Sequence, residues 1–368
     1  MKILPWAGNS IFPALCTALL AWRKSAPDTR DLPWRDEPTP YHVWISEIML
    51  QQTRAAVVRG YYLRFLDALP SVRDLADVDD DALMKLWQGL GYYSRARNLK
   101  RAAEVIVREH EGQLPNDFDA LLALPGIGRY TASAISSFAY GQPRPAVDGN
   151  FLRVAARVTA TPIDIAKDAS KRALEAALVP SYPSGRDAGL LNEAFMDLGA
   201  TVCLPNGAPL CHTCPAARLC LAHEYGTEQN YPVKTALKAR RKEKHTVLLL
   251  SCGDHIAIRK RPAKGLLAGL WEYPNVDGKL SRRAVRAHLE AEGFGVCTIV
   301  PLPPARHIFS HIEWELTGWA VTVTDTNEPP LMAAEEIEGA PSPLLWVRRE
   351  ELADKYSIPA AFGYFTPQ

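Results

Sequence analysis

"LPGIGRYTAS", residues 124–133, is the stretch on which the reading of this chain turns, and twenty residues past its second glycine comes "VDGN", residues 147–150. A Gly-x-Gly followed by an acid at that distance invites comparison with a dinucleotide-binding fingerprint. That fingerprint needs a strand before its glycines and a surrounding βαβ unit. Here residues 118–124 have helical periodicity, the third glycine is missing and no βαβ unit surrounds the turn. A P-loop is excluded because no Gly-Lys-Ser/Thr follows. What remains is a helix, a tight turn and a second helix opening at Arg129 or Tyr130, with its free backbone N–H groups pointing outward. Such a helix start attracts anions, and Gly126 and Gly128 would let a phosphate come close to the backbone. The stretch therefore reads as a helix-hairpin-helix gripping a DNA phosphate, with a plain corner between two helices as the alternative.

Outward from the hairpin, residues 11–225 carry period-3.6 patterning broken by short Gly/Pro/Asp punctuation. Asp79, Asp80 and Asp81 precede a helix that should end at Gly89, and "LPNDFDALLALPG" is another, stopped at Pro125-Gly126. Residues 228–244 are polar, basic and aperiodic, and read as a linker. Beyond them the texture changes. "TVLLLSCGDHIAIRKRP" is two strands around a Gly-Asp turn, "SRRAVRAHLEAEGFG" is a helix with Ser281 as cap and Gly293 as stop, and "IEWELTGWAVTVTD" alternates like a half-buried strand. The expected domains are thus an all-α region over 1–227, a linker over 228–244 and an α+β domain over 245–368.

At 368 residues, 47% hydrophobic and 23% charged, the chain has the makings of a globular protein of two or three domains. No apolar run is long enough for a membrane span. Near the start, Pro13, Trp22 and the lack of a small-residue cleavage site argue against a signal peptide and for a surface-packed first helix. Net charge is only +1, so bulk charge announces no nucleic acid. Its distribution says more: "SRARNLKR" carries four cations and no acid, and "KTALKARRKEKH" six cations against Glu243 alone, although either could be a merely solvated face. Four of the seven cysteines (Cys203, Cys211, Cys214, Cys220) fall within eighteen residues, whereas Cys16, Cys252 and Cys297 are scattered and expected in cores. Clustering of that kind, without secretory features, points to a metal in a reducing cytoplasm.

Two carboxyl groups stand out. Glu47 sits in "YHVWISEIMLQQT", with Val43, Trp44 and Leu50 as its i−4, i−3 and i+3 neighbours and Gln51 at i+4. A glutamate is rarely buried without a partner, and desolvation raises its pKa towards what a general acid needs near neutral pH. Asp148 lies in "AVDGN", which taken alone is only a turn. Together, one protonated and one ionised carboxyl group suit the breaking of a bond to a sugar's anomeric carbon.

In order along the chain, "WISEIMLQQT", "GLGYYSRARNL", "LPGIGRYTASAI", "VDGN", the cysteine cluster, "GLLAGLWEYP" and "FSH" resemble the MutY-type adenine DNA glycosylases of the endonuclease III-like superfamily. The resemblance implies an all-α helix-hairpin-helix glycosylase domain with an iron–sulfur cluster subdomain, plus an α+β Nudix-like (MutT-like) C-terminal domain. Glu47 would protonate adenine at N7, and Asp148 would steady the cationic sugar or bond to it transiently. Tyr130 and Asn150 would support them. Gln52 and Tyr92 would insert into the duplex when the adenine is swung out, with Thr53 and Leu90 beside them, and Trp34 and Arg35 would line the adenine pocket. Gly126 and Gly128 would meet the DNA, and Phe309, Ser310 and His311 would inspect 8-oxoguanine. Superfamily members that also cut the strand place a lysine in the hairpin, where its amine forms a Schiff base with the sugar. Here that position is Tyr130, so the expected enzyme is monofunctional and leaves an abasic site.

The cysteine spacing is C-x7-C-x2-C-x5-C, with one short knuckle where zinc sites commonly have two. The resemblance implies a 4Fe–4S cluster on the four thiolates, with one residue more in the first gap than the family usually has; Gly207 and Pro209 suggest a turn able to absorb it. The helix "RAHLEAEGF" lacks the glutamate set a Nudix hydrolase needs, since its first position is Ala287 or His288. The implied partner is double-stranded DNA with adenine opposite 8-oxoguanine or guanine, bound by a cytoplasmic, nucleoid-associated monomer. Weighed against this reading are an oxidised-pyrimidine glycosylase/lyase, a pyrophosphohydrolase and a non-catalytic iron–sulfur DNA-binding protein.

Overall fold

The structure, a computed structural model, describes residues 6, 10–25, 30–235, 239–324 and 343–366. It divides into two compact units, Met1–Asp77 with Asn98–Ala236, and Val78–Arg97 with Leu237–Gln368.

The first unit is built of helices and their connections, with one isolated β-bridge, Asp164 to Val233, among its described residues. One apolar cluster joins the helices Ile11–Ser25, Gly149–Val158, Asp168–Leu178 and Arg186–Thr201. Phe151 and Phe195 stack at its centre, ring centroids 4.2 Å apart. Full burial of such a ring stabilises by about 1.5–3 kcal/mol. The first helix does not rest loosely on the surface: Phe12, Leu15, Cys16 and Leu19 all enter this core. Helix Pro40–Leu50 starts on Thr39, whose hydroxyl accepts from the His42 N–H at 3.2 Å, and buries every residue from Val43 through Met49. A helix with no polar face belongs in the middle of a fold.

The hairpin runs as its residue types demand. Helix Phe118–Ala123 is capped by Asp117, and helix Arg129–Phe138 opens on Gly128 with no side-chain cap. Gly126 has φ +75°, and a Cβ there would lie 2.6 Å from Cβ of Asn98, so only glycine fits.

The second unit carries a mixed seven-stranded sheet: β1 (Arg241–Cys252), β2 (His255–Lys260), β3 (Trp271–Glu272), β4 (Asn275–Asp277), β5 (Val296–Ile308), β6 (Ile312–Val323) and β7 (Leu345–Arg348). The order is β3-β2-β1-β6-β5, with β4 on β1 and β7 on β2. β1 and β6 pair in parallel from Arg241 with Ile312 to Ser251 with Thr322. Alternation along β1 sends Val247 to one apolar cluster, with Trp314, Leu316 and Phe362, and Leu248 and Leu250 to the other, under helix Arg282–Ala291. Ser281 caps that helix, as its sequence requires.

Three sequence expectations are corrected. Residues 78–97 group with the sheet unit, not with the helical region around them. The end of the expected linker, Arg241 to Lys244, is already strand, hidden because it pairs through charge: Lys242 reaches Glu313 and Glu315, and Trp314 donates to Glu243. Cys297 is exposed, because β5 is an edge strand and turns that side chain outward. Pro301, Pro303 and Pro304 are tolerated on β5 for the same reason, beside a register shift at Leu302/Ala305.

Candidate active site

A cavity of ≈ 250 Å³ in the helical unit gathers Glu47, Tyr130, Asp148, Asn150, Trp34 and Arg35. Six positions spread over more than a hundred residues of sequence meet there. Glu47 is 5% exposed. Its carboxyl accepts from the Tyr130 phenol, while Oε2 is buried and meets no hydrogen-bond partner among the described residues. Burial pushes the Glu47 pKa up to about 7; the Tyr130 hydrogen bond opposes this, the Asp148 charge adds to it and Arg35 opposes it. The carboxyl thus keeps its proton to a much higher pH than a free glutamate does, and its second oxygen is left wanting a partner. Burial also raises the Tyr130 pKa, with the Glu47 and Asp148 charges acting in the same sense, so the phenol stays a donor.

Asp148 is built differently. It is the N-cap of helix Gly149–Val158, and Oδ1 accepts from the N–H of Asn150 (2.8 Å) and Phe151 (2.9 Å). Oδ2 accepts from Asn150 Nδ2 at 2.7 Å. Burial raises its pKa, and those three donors together with the Arg153 charge pull against the rise by favouring the ionised form. The cavity thus holds two acids in opposed environments, one starved of partners and one saturated with donors.

Asn150 is itself fixed. Its Oδ1 accepts from Arg153 Nη2 at 2.7 Å, and Gly199 leaves it room: a Cβ there would sit 2.5 Å from Cβ of Asn150. Arg153 also donates to the carbonyls of Gly199 (2.7 Å) and Cys203 (2.8 Å), which ties the Asp148 helix to the cysteine loop. The chain entering Asp148 hangs on Asn192, which is fully buried. Its Oδ1 accepts from the Ala146 N–H (2.8 Å) and the Tyr182 hydroxyl (2.6 Å), and its Nδ2 donates to Ser137 Oγ and the Arg144 carbonyl.

In the same cavity Arg35 grips Asp197 with two hydrogen bonds, of 2.9 and 3.0 Å, and lies 3.6 Å from Glu193. Arg23 donates to Glu193 and Arg30 to Asp197. Trp34 is buried edge-on against Tyr62, 5.7 Å between centroids. Sequence reasoning did not find Glu193 or Asp197. Their signal was present: two acids at i, i+4 within "LLNEAFMDLGA", a helix otherwise made for a core.

The remaining candidates lie outside this cavity. Gln52 and Thr53 form the turn after the Glu47 helix; Gln52 is exposed with φ +59°. Tyr92 is 43% exposed with φ +49°, and Leu90 beside it is buried. Non-glycine residues held in this region are rare and cluster at functional sites. In the sheet unit Leu90 and Tyr92 share a second cleft, of ≈ 420 Å³, with Phe309, Ser310 and His311. Gly126 and Gly128 are both exposed, and a Cβ at Gly128 would meet nothing, so the start of helix Arg129–Phe138 stands open.

Cys203, Cys211, Cys214 and Cys220 line one small cavity, and none is in a disulfide. Arg157 Nη1 lies 3.3 Å from Cys203 Sγ. The additional residue in the first gap is taken up by a turn: Gly207 has φ +74°, and the Leu210 N–H returns to the Val202 carbonyl at 2.9 Å. Four thiols around one hollow, lined also by apolar side chains such as Val154, Val158 and Leu198 and by the polar groups of Arg157, His223 and Glu228, fit a four-thiolate cluster. Cys211, His223 and Glu228 also come within 4.8 Å of one another, which is the only other ligand set among the described residues. On helix Arg282–Ala291 the pairs Arg286–Glu290 and His288–Glu292 are ordinary surface contacts, and no acidic cluster stands there.

Comparison with known proteins gives two family matches: the HhH-GPD superfamily of base excision DNA repair proteins over residues 45–180, and the NUDIX domain over 245–365. The adenine DNA glycosylase of Rattus norvegicus is 34% identical over 357 residues, covering 80% of this chain and 68% of that protein. The Homo sapiens enzyme is 35% identical over 350 residues, and the match spans 62% of its length. That of Buchnera aphidicola subsp. Baizongia pistaciae is 30% identical, covering 77% of this chain and 79% of its own. Among solved structures, a thermostable thymine-DNA glycosylase superposes with TM-score 0.51 at 30% identity, over 60% of this chain and 99% of that one. No described helix is long and apolar enough to cross a membrane.

Proposed function

We infer, for a chain that belongs to the adenine DNA glycosylases, that it removes adenine paired with 8-oxoguanine or guanine in double-stranded DNA and leaves an abasic site. The observation that carries this is the opposition of Glu47 and Asp148 across one cavity, the first held protonated by burial and the second surrounded by donors. An adenine extruded from the duplex presents N7 to the Glu47 carboxyl. Protonation there turns the base into a neutral leaving group, and the C1′–N9 bond breaks with its electron pair going to the base. Asp148 stabilises the oxocarbenium ion that remains. Water then adds to C1′ and loses a proton. Extrusion costs a few kcal/mol of unstacking, offset by pocket contacts and by the wedge residues Gln52 and Tyr92.

Strand cleavage is not part of the reaction. No lysine lines the cavity among the described residues, and the hairpin offers Tyr130, whose phenol cannot form an imine. The test is an end-labelled duplex with adenine opposite 8-oxoguanine, its strands compared with and without hot alkali. Cleavage of the adenine strand only after alkali is the expected result. Nicking without alkali identifies a lyase instead, and no product from any duplex removes the glycosylase reading.

The four cysteines hold a 4Fe–4S cluster on this reading, and the cluster, when bound, shapes the loop that meets DNA phosphates. Cys203→Ser or Cys211→Ser should lose the brown colour and most of the soluble yield. A colourless, metal-free and fully active wild type, or one carrying zinc alone, overturns the assignment. We place the enzyme as a monomer working on chromosomal DNA in the cytoplasm, with salt weakening its binding through the phosphate contacts.

A further inference from the structure

We propose that Asp81 is a positioning residue that sets how the base opposite the adenine is read, by fixing the strained segment 89–92 against residues 309–311. The inference rests on the functional reading above.

Asp81 lies in the first turn of helix Asp80–Trp87, capped by Asp79. Its carboxylate takes two donors from the sheet: Trp271 Nε1 on β3 at 3.1 Å and Lys260 Nζ on β2 at 3.1 Å. Lys260 stands over the Trp271 ring, 5.3 Å from its centroid, and Trp271 rests edge-on against Tyr356 at 5.1 Å. Oδ1 accepts from both donors, and Oδ2 accepts from Lys260 Nζ as well, at 3.2 Å. Further along the same helix, Ser357 Oγ donates to the Met84 carbonyl (3.2 Å) and Gln88 Nε2 to that of Ile358 (3.1 Å). Past the segment, Arg97 donates to the Ala268 carbonyl.

Between these attachments runs Gly89-Leu90-Gly91-Tyr92, with φ of +99° at Gly89, +70° at Gly91 and +49° at Tyr92. Trp87 Nε1 donates to the Gly91 carbonyl and Arg95 Nη2 to those of Leu90 and Gly91, each at 3.1 Å, so the segment has little freedom of its own. Where the helix points, Tyr92 follows. Across the cleft stand Phe309, Ser310 and His311, together with Leu267, a second non-glycine residue with positive φ, +56°. Both jaws belong to the sheet unit, and Asp81 ties the helix leading into one of them to β2 and β3. Asp81 and Lys260 are each about a third exposed or more, so their pairing adds little to folding. That separates positioning from stability.

The full-length protein, wild type and Asp81→Ala, is assayed in single turnover on three duplexes: adenine opposite 8-oxoguanine, opposite guanine and opposite an abasic gap. We expect the preference for 8-oxoguanine over guanine, as rate divided by Kd, to fall at least about fivefold, the scale of one lost hydrogen-bonded contact. The rate opposite the gap, where there is no base to read, should stay within about twofold, because Glu47 and Asp148 are untouched. Asp81→Glu should restore the preference, and Trp271→Phe, which removes the indole donor and part of the ring while leaving Asp81 in place, should lower it. An unchanged preference in both Asp81→Ala and Trp271→Phe, or an equal loss on all three duplexes, overturns the proposal while leaving the glycosylase reading intact. A wild type that excises without preference overturns the proposal alone; one that does not excise at all fails that reading and takes the proposal with it.

Discussion

Glu47→Gln should excise adenine at least ~100-fold more slowly than wild type, the usual scale for a positioned acid, while binding the mismatched duplex as before. Gln fills the same volume and accepts the Tyr130 hydrogen bond, so what is lost is the proton and nothing else. The wild-type rate should itself fall as pH rises through about 7, where burial has placed the Glu47 titration. A single-turnover profile flat between pH 6 and 9, or full activity in Glu47→Gln, removes Glu47 as the acid. The same burial has a stability consequence of definite sign. The folded chain holds this proton more tightly than the unfolded chain, so wild-type stability falls as pH rises from 4.5 through about 7 and then levels. That shift corresponds to at most roughly 3 kcal/mol. Glu47→Gln lacks the slope and should therefore melt at a higher temperature than wild type at pH 8. Thermal unfolding at pH 5 and pH 8 checks it.

Asp148→Asn should lose excision by a comparable factor, at least ~100-fold, and again keep its hold on the duplex. Asparagine caps a helix about as well as aspartate, so helix Gly149–Val158 has no reason to fray. Its amide oxygen can still accept from the backbone of Asn150 and Phe151, but its Nδ2 then faces the Asn150 Nδ2 donor, and the negative charge is gone. The sugar cation loses its counter-charge at the moment it forms. Unchanged circular dichroism with lost excision is the expected pairing; a fully active Asp148→Asn excludes the aspartate from the mechanism.

The hairpin was legible because its chemistry is local: glycines where the backbone must turn left-handed or come close, and helical periodicity on both sides. Glu47 was legible because an acid inside "VWISEIML" contradicts its surroundings. Glu193 and Asp197 carried a similar contradiction, but their arginine partners Arg23, Arg30 and Arg35 come from far up the chain, and no pattern joins them. The start of β1 escaped for a different reason. Strand alternation is read from apolar residues, and Arg241 to Lys244 pair through ions. The attachment of residues 78–97 to the sheet unit depends on contacts such as Asp81 with Trp271, 190 positions apart, which no local pattern encodes.

Asn192 has one more bearing on how the chemistry is to be watched. A neutral amide, it suspends the run into Asp148 from four neighbours, and the one titratable group among them, the Tyr182 phenol, is held by burial well above its usual range. Acidity can therefore be varied widely while the frame around the reaction keeps its shape. A rate that bends with pH then reports on the proton being delivered, not on a scaffold giving way.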